Sequence, residues 1–516
     1  MAVVGSARAQ VDGSAVIGPL IDSGIDPDLR WPNFIAYQEP LRQAYEARAF
    51  APFWVRDGKP TPQALEVIAS LATADARALD AADYDAASLA AAAERLRSSD
   101  APTADDIARF DVDTTISVMR FVSDSAIGKI NPQRLGYAIE PESSKLDLTV
   151  LIPELASEPS PGEHIAGLDP PFPGYARLRD ALVRYRAIAA RTDLPRMPNL
   201  PKLRPGGSDR GIPALRAWLT AYGDLPEHAA VPKQASQYDS ALVAAVKRFQ
   251  RRHGLDPDGV IGASTGQALQ VPPAQRVRQI ELAMERLRWL PVPFPERFVV
   301  INIPEFRLRG FEDPDAPPRV DMNVVVGSSA DGTETPVLFA DMRYLIFRPY
   351  WLVPGSIAHK EILPKADHDP SYLRRQNMEM VNGRIRQRPG PANSLGLLKF
   401  IFPNRFHVYL HDTPSKALFH RTRRDFSHGC IRVADAPALA EFVLGREPGW
   451  NRERIEQAMK HGTNNHYVDL QTPVPVYVLY ATAAVDSDGD VNFFSDIYGH
   501  DATLAALLAT GYPYSS

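Results

Sequence analysis

Apolar residues recur at helical spacing through the first part of the chain and at strand spacing through the last. Ala64-Leu65-Glu66-Val67-Ile68-Ala69-Ser70-Leu71 reads as an amphipathic helix, and similar patterns run from Ala86 to Leu96, Ile107 to Ser123 and Tyr175 to Arg191. They predict a mostly helical scaffold domain over residues 29–200 in which no chemistry is visible. Arg120 and Arg134 within it read as solvated charges. Residues 1–28 come before it as a signal-peptide remnant and flexible tail, and Gly, Ser, Pro and Asp dominate residues 10–28 without a period, which predicts a flexible or extended segment. The opening, with Ala7-Arg8-Ala9, reads equally as the remnant of a signal peptide or as incidental alanines.

Pro195, Pro198, Pro201 and Pro205 mark a linker, after which residues 207–271 form a compact pattern. Leu242, Val246 and Phe249 fall on one helical face, a turn-dense loop follows at Gly254 to Gly262, and Ser264-x-x-Gln267 offers a capping box for a last short helix. A connecting helix over 275–291 stops at Pro291. Then the period shortens. Phe298–Ile303, Phe306–Arg309, Met322–Val326 and Tyr344–Phe347 are strand-like, with Gly327 to Pro336 a polar loop, and they predict a β-rich domain over 296–516. Within it the strand signal lapses over 350–398, an insertion whose aromatic content argues for a lid rather than disorder. Lys399–Phe402 and Phe406–Leu410 return to the sheet and deliver His411 at a strand end, and Ala434 to Gly445 is helical in pattern. The region 474–516 contains Asp486-Ser487-Asp488-Gly489-Asp490, whose glycine is fourth rather than sixth, so a hairpin turn is expected there and not a calcium loop. The fold class is multidomain α+β.

At 516 residues the chain is too long for one core. A net charge of −5 without a basic block excludes nucleic acid as an implied partner, and the absence of an apolar run of membrane-spanning length predicts no membrane span. Cys430 is the single cysteine, so it has no intrachain disulfide partner and no companion thiolates for a metal; no metal or other cofactor is expected. It is either a buried structural thiol or a nucleophile. A nucleophilic thiol needs a base and donors for an oxyanion. His411 and His428 supply imidazoles, and Gly429 lets main-chain N–H groups approach a carbonyl.

The spacing His411, fifteen residues, Ser427-His428-Gly429-Cys430-x-Arg432 resembles the signature of the L,D-transpeptidase (YkuD-type) catalytic domain. The pattern Phe249-Gln250, Gly254-Leu255, Asp258-Gly259-x-x-Gly262 is similar to the three-helix peptidoglycan-binding module, and the whole resembles the large periplasmic members with a capping insertion. The resemblance implies that Cys430 is the acyl-enzyme nucleophile and His411 its general base, oriented by Asp412 or by a backbone carbonyl. Ser427, His428, Gly429 and Arg432 would shape the pocket and oxyanion site, and Tyr409, Trp351, Arg423 and Arg424 would contact substrate. A helix after Val433 would lower the thiol's pKa through its dipole. The implied reaction joins peptidoglycan tetrapeptide stems, donor and acceptor, by 3-3 cross-links in the periplasm with release of D-alanine. Glycan synthases or carboxypeptidases of the wall are implied partners, and carbapenems are the implied inhibitors. Two other readings stand beside it: an L,D-carboxypeptidase, and a non-catalytic wall-binding scaffold.

Overall fold

Helix Ala104–Ala126 is the spine of the N-terminal domain and is buried on nearly every face. In the computed structural model, which describes residues 13–140, 146–291 and 293–511, it is opened by a Thr103–Asp106 capping box. Helices Pro62–Leu71 and Ala86–Ser98 pack on it through Val67, Ile68, Leu89 and Leu96, as their apolar spacing predicts. Asp111 in the spine is wholly buried and accepts hydrogen bonds from the Tyr45 hydroxyl (2.6 Å) and the Phe53 (2.9 Å) and Trp54 (2.6 Å) N–H groups. This carboxylate fastens the segment that enters the domain.

Two expectations change here. The part of the tail predicted to be flexible contains helix Ser14–Ser23, with Ile17 and Ile21 buried against the spine. Gly18 and Pro19 mask its period, and burial of the two isoleucines outweighs their poor helix propensity. The signal-peptide reading falls on residues outside the described ones. Arg120 is buried rather than solvated, and its Nη2 donates to the carbonyls of Trp31 and Asn33 at 2.9 Å each.

Helix Pro173–Ala189 leaves the scaffold core and packs on the connecting helix Pro273–Leu287, where Leu178, Leu182, Ile280 and Met284 share one cluster. Helices Ile212–Ala221, Ser240–Arg252 and Ala263–Gln270 form the module at 207–271. Its turn is organised by Gln250, whose amide donates to Asp258 and the Val260 carbonyl (3.0 Å each) and accepts from Gly259 N–H (2.8 Å). The expected Ser264–Gln267 capping box is not formed: the helix starts after Gly262, so Ser264 already lies inside its first turn. Arg252 pairs with buried Asp224 and donates to Tyr185 and the Val491 carbonyl, which seats the hairpin Ala483–Val485/Val491–Phe493 against the module.

The C-terminal part is a mixed sheet, nine-stranded among the described residues: β1 Phe298–Asn302, β2 Arg307–Phe311, β3 Val320–Gly327, β4 Leu338–Phe347, β5 Leu398–Ile401, β6 Leu410–His411, β7 Asp425–Ser427, β8 Ile431–Val433 and β9 His466–Leu479. The spatial order is β7-β3-β8-β6-β5-β4-β9-β1-β2, and β2 returns to pair with β3, which closes the sheet on itself. The insertion at 350–398 is not weakly structured. Strands Trp351–Leu352, Arg384–Gln387 and Met378–Val381 form a small antiparallel sheet, and short helices between Gly355 and Arg375 cover it around Val353, Ala358, Ile362 and Ile385. Two-to-four-residue strands carry too few alternations to stand out in the sequence. No helix among the described residues is long and apolar enough to cross a membrane.

Buried ionisable groups set an expected pH profile. Burial pushes Asp111, Asp124 and Asp113 up to about 6, 7 and 8. The stability that a raised carboxyl contributes is complete below its unfolded value of about 3.9 and is lost as pH rises through the folded value. Burial drives His411 down to about 3 and His500 to about 4, and holds His253 well below the usual imidazole value. Their contribution is present above about pH 6.5 and is lost as pH falls below it. Thermal unfolding should therefore be latest near neutrality and come earlier on both sides, with Asp113→Asn flattening the alkaline limb. A melting temperature that climbs steadily from about pH 6 to pH 8.5 contradicts this assignment.

Candidate active site

Three short strands build the site by alternation. β6 and β8 run parallel with Leu410 opposite Ile431 and His411 opposite Arg432, and β5 lies antiparallel on the other edge of β6 with Lys399 opposite His411 and Phe400 opposite Leu410. Side chains in a strand point to alternate faces. Leu398, Phe400, Leu410, Ile431 and Val433 therefore share the core face and are fully buried. Lys399, Tyr409, His411, Cys430 and Arg432 share the other face, with Cys430 beside Tyr409 and one diagonal step from His411.

His411 is buried, and its Nδ1 lies 2.5 Å from the main-chain oxygen of Asp412. That carbonyl can only accept, so Nδ1 carries the proton and Nε2 is left as the basic nitrogen. Between the two orienting groups left open by the sequence, the backbone carbonyl is the one used. The Asp412 carboxylate serves elsewhere: it accepts from Leu397 N–H (2.9 Å) and from Lys416 Nζ (2.7 Å). Gly396, at φ +61°, passes so close that any Cβ there would overlap the Asp412 side chain. Burial, aided by Arg432, pushes the imidazole down to about 3, so it is neutral at physiological pH and free to accept a proton.

Cys430 is partly exposed. Burial of its sulfur raises the thiol's pKa, while Tyr409, through backbone and phenol, and the cations of Lys399 and Arg432 act in the opposite direction. Lys399 Nζ stands 3.7 Å from the centre of the Tyr409 ring. The helix expected after Val433 does not begin at the thiol. β8 separates Cys430 from helix Ala436–Leu444, whose N-terminus is capped by the Asp435 side chain.

The turn that carries the thiol is held from below. Gly429 has φ +104°, which favours glycine, and its N–H donates to the buried Ser427 Oγ at 3.2 Å. Its carbonyl accepts from Thr335 Oγ1 at 2.8 Å, and that hydroxyl oxygen in turn accepts from Gly327 N–H at 2.8 Å. Tyr498 closes the arrangement, since its hydroxyl donates to the Gly327 carbonyl (2.6 Å) and accepts from Thr335 N–H (3.2 Å).

The remaining expected residues scatter. His428 turns away to solvent, where its Nε2 meets Glu361 of the insertion at 2.6 Å, so it ties the motif to the cap. Trp351 packs within the cap's own small core. Arg423 is held by both oxygens of Asp425 at 2.7 Å, and Arg424 spends its Nη groups on the carbonyls of Arg421, Glu305 and Phe306. Both were singled out for nearness in sequence, and both guanidinium groups already have partners within the protein. Lys399, Thr335 and Glu361 are the residues the sequence did not single out. Only Lys399 left a trace there, as a lone cation in an apolar strand. Behind the motif opens a cleft of about 370 Å³ lined by His428, Gly429, Glu334, Tyr137, Phe406 and His500 among others.

Residues 296–476 match the model of the L,D-transpeptidase catalytic domain (YkuD), residues 208–269 that of the "Putative peptidoglycan binding domain" and residues 39–182 that of the scaffold domain. A protein of Haemophilus influenzae described as a "Putative L,D-transpeptidase" is 30% identical over 247 residues, covering 43% of this chain and 48% of the relative. The chain thus spans about half the length of the curated relative it matches. Among solved structures, an L,D-transpeptidase of Xylanimonas cellulosilytica is 18% identical, with 55% of this chain and 99% of that one covered and a TM-score of 0.17. One from Stackebrandtia nassauensis is 13% identical, with 54% and 94% covered and a TM-score of 0.23. At these scores the two structures add no weight. The chain carries an L,D-transpeptidase catalytic domain together with a peptidoglycan-binding module and a scaffold domain.

If Lys399 and Arg432 are the charges that favour the thiolate, Lys399→Met should slow alkylation of Cys430 by iodoacetamide at pH 7.5 about threefold or more, while Lys399→Arg keeps most of the rate. Since Cys430 is the only cysteine, total label reads this site alone. Equal rates in all three proteins would remove Lys399 from the site's electrostatics.

Proposed function

We propose that the protein is a cysteine-dependent L,D-transpeptidase of the periplasm that makes 3-3 cross-links between peptidoglycan stems. The observation that carries this reading is the shared face of β5, β6 and β8, on which a partly exposed thiol lies one diagonal step from a neutral, backbone-oriented imidazole and beside two cations.

In the first half-reaction the Cys430 proton passes to Nε2 of His411 as sulfur attacks the carbonyl of the stem's diamino acid. A C–S bond forms, the C–N bond to the terminal D-alanine breaks, and His411 returns the proton to the departing amine. With the Gly429 N–H taken by Ser427, the N–H of Cys430 is the main-chain donor proposed for the oxyanion. Lys399 and Arg432 suit the donor's carboxylate, which takes over the role first considered for Arg423 and Arg424. In the second half-reaction an amine from a neighbouring stem attacks the thioester. A C–N bond forms, the C–S bond breaks, and the amine's proton returns through His411 to the thiolate.

The cleft beside Gly429 supports an approach route for that amine, and the His428–Glu361 contact supports a cap that closes over the motif and keeps water from the thioester. Exclusion of water favours transfer over the hydrolysis of a carboxypeptidase. The intact pairing of His411 with the Cys430 turn disfavours an inert scaffold.

Wild-type protein incubated with tetrapeptide muropeptides should yield cross-linked dimers by mass spectrometry, and tripeptide alone would make it a carboxypeptidase. Cys430→Ala should lose both the product and the covalent carbapenem adduct. Adduct retained at full stoichiometry in that variant would sink the proposal.

A further inference from the structure

Away from the catalytic domain, the scaffold holds a cavity of about 580 Å³ between helices Ala86–Ser98 and Ala104–Ala126 and the loop at 28–29. Its charged lining is Asp28, Asp85, Asp106, Asp113, Arg95 and Arg109. Some of these groups have internal duties. Asp106 closes the capping box with Thr103, and Arg109 is drawn to Asp105 (2.9 Å), Asp26 (3.5 Å) and Asp28 (3.9 Å).

Two carboxylates are left over. Asp85 accepts from the Arg30 N–H with one oxygen (2.8 Å), while its other oxygen is enclosed without a donor. Asp113 is 9% exposed, and among the described residues nothing donates a hydrogen bond to it and no cation pairs with it. Buried carboxylate oxygens without donors are costly, and a structure that keeps two such oxygens, one on Asp85 and one on Asp113, around one open space leaves acceptors for a cation from outside. Burial and the fields of Asp26, Asp28 and Asp85 hold the empty Asp113 carboxyl up at about 8; Arg109 acts the other way as the smallest of these influences, and Asp113 and Asp85 both act on the buried Arg120 guanidinium. At the rim, Arg95 is exposed and makes no ion pair with any described residue.

We propose that this cavity binds a primary ammonium group carried by an amino acid or short peptide, with Asp113 and Asp85 receiving the ammonium and Arg95 its carboxylate. An ammonium brings three donors on one compact centre, which fits carboxylate oxygens in a confined space. A divalent metal ion fits less well. It needs more oxygen ligands than two carboxylates supply, and no group of three or more His, Cys, Asp or Glu able to hold one occurs among the described residues. The volume lies within the roughly 300–1,000 Å³ of small-molecule pockets. This site is independent of Cys430 and does not rest on the transpeptidase reading.

The test is calorimetry on the full chain with lysine, which carries ammonium and carboxylate, with cadaverine, which carries only ammonium groups, and with glutarate, which carries only carboxylates. Lysine should bind, glutarate should not, and Asp113→Asn and Asp85→Asn should each weaken lysine about tenfold or more. Arg95→Met should weaken lysine and leave cadaverine unaffected. Unliganded Asp113→Asn should melt no lower than wild type at about pH 8 while losing the lysine-induced rise in melting temperature, which separates a lost site from a lost fold. No binding of lysine or cadaverine at about 10 mM, equal lysine affinity in Asp113→Asn, or glutarate binding as tightly as lysine would each overturn the proposal.

Discussion

The parallel pairing of β6 with β8 is the constraint on which the site depends. It sets Leu410 against Ile431 on the core face and His411 against Arg432 on the other, so burial of two aliphatic side chains fixes where the imidazole and the thiol turn must stand. A one-residue slip would send His411 into the core and Leu410 into the pocket. The antiparallel β5 adds Lys399 to the same face by the same rule. Hydrophobic burial, which has no directional preference of its own, is converted into position by the strict alternation of the pleat.

Electrostatics then tunes what alternation has placed. Burial works against charge on both members of the pair, raising the thiol and lowering the imidazole, so the resting state is neutral thiol and neutral histidine. Lys399, Arg432 and Tyr409 partly offset this for the sulfur. The balance suits a site in which proton transfer accompanies attack rather than precedes it. The Thr335–Tyr498 bracket under Gly429 comes from loop and C-terminal segments far apart in the chain, and it holds the turn at a positive φ.

Buried ion pairs help join the architecture around the sheet, beside the apolar cluster that helix Pro173–Ala189 shares with the connecting helix. Arg252 with Asp224 links module and hairpin, and Arg288 with Glu285 lies in the connecting segment, where Glu285 also accepts from the Lys129 and Ile130 N–H groups of the scaffold. Breaking one partner of such a pair strands the other without water, so these contacts define a single relative placement. The cap is held to the motif differently, by an exposed His428–Glu361 contact that is cheap to break.

Much of this was legible in the chain. The long amphipathic helices, the module at 207–271 and the strands after Phe298 each show a period over enough residues to be read directly, and the His411 to Cys430 spacing pointed to the nucleophile and its base. Local sequence determines these because periodicity and short motifs depend only on neighbours along the chain. What it could not determine was anything decided by who lies across a strand or under a turn. Lys399 entered the site by cross-strand register, Thr335 by a contact from a remote loop, and Arg424 left it for the carbonyls of the β1–β2 turn. The helix at Ser14–Ser23 formed because a partner buried its isoleucines, and the cap's short strands because they found one another. The sequence by itself determined the elements and the reactive pair. Only tertiary structure decided what orients His411, which cations stand by Cys430 and which carboxylates are left unpaired, because each is settled by packing between segments that the chain keeps far apart.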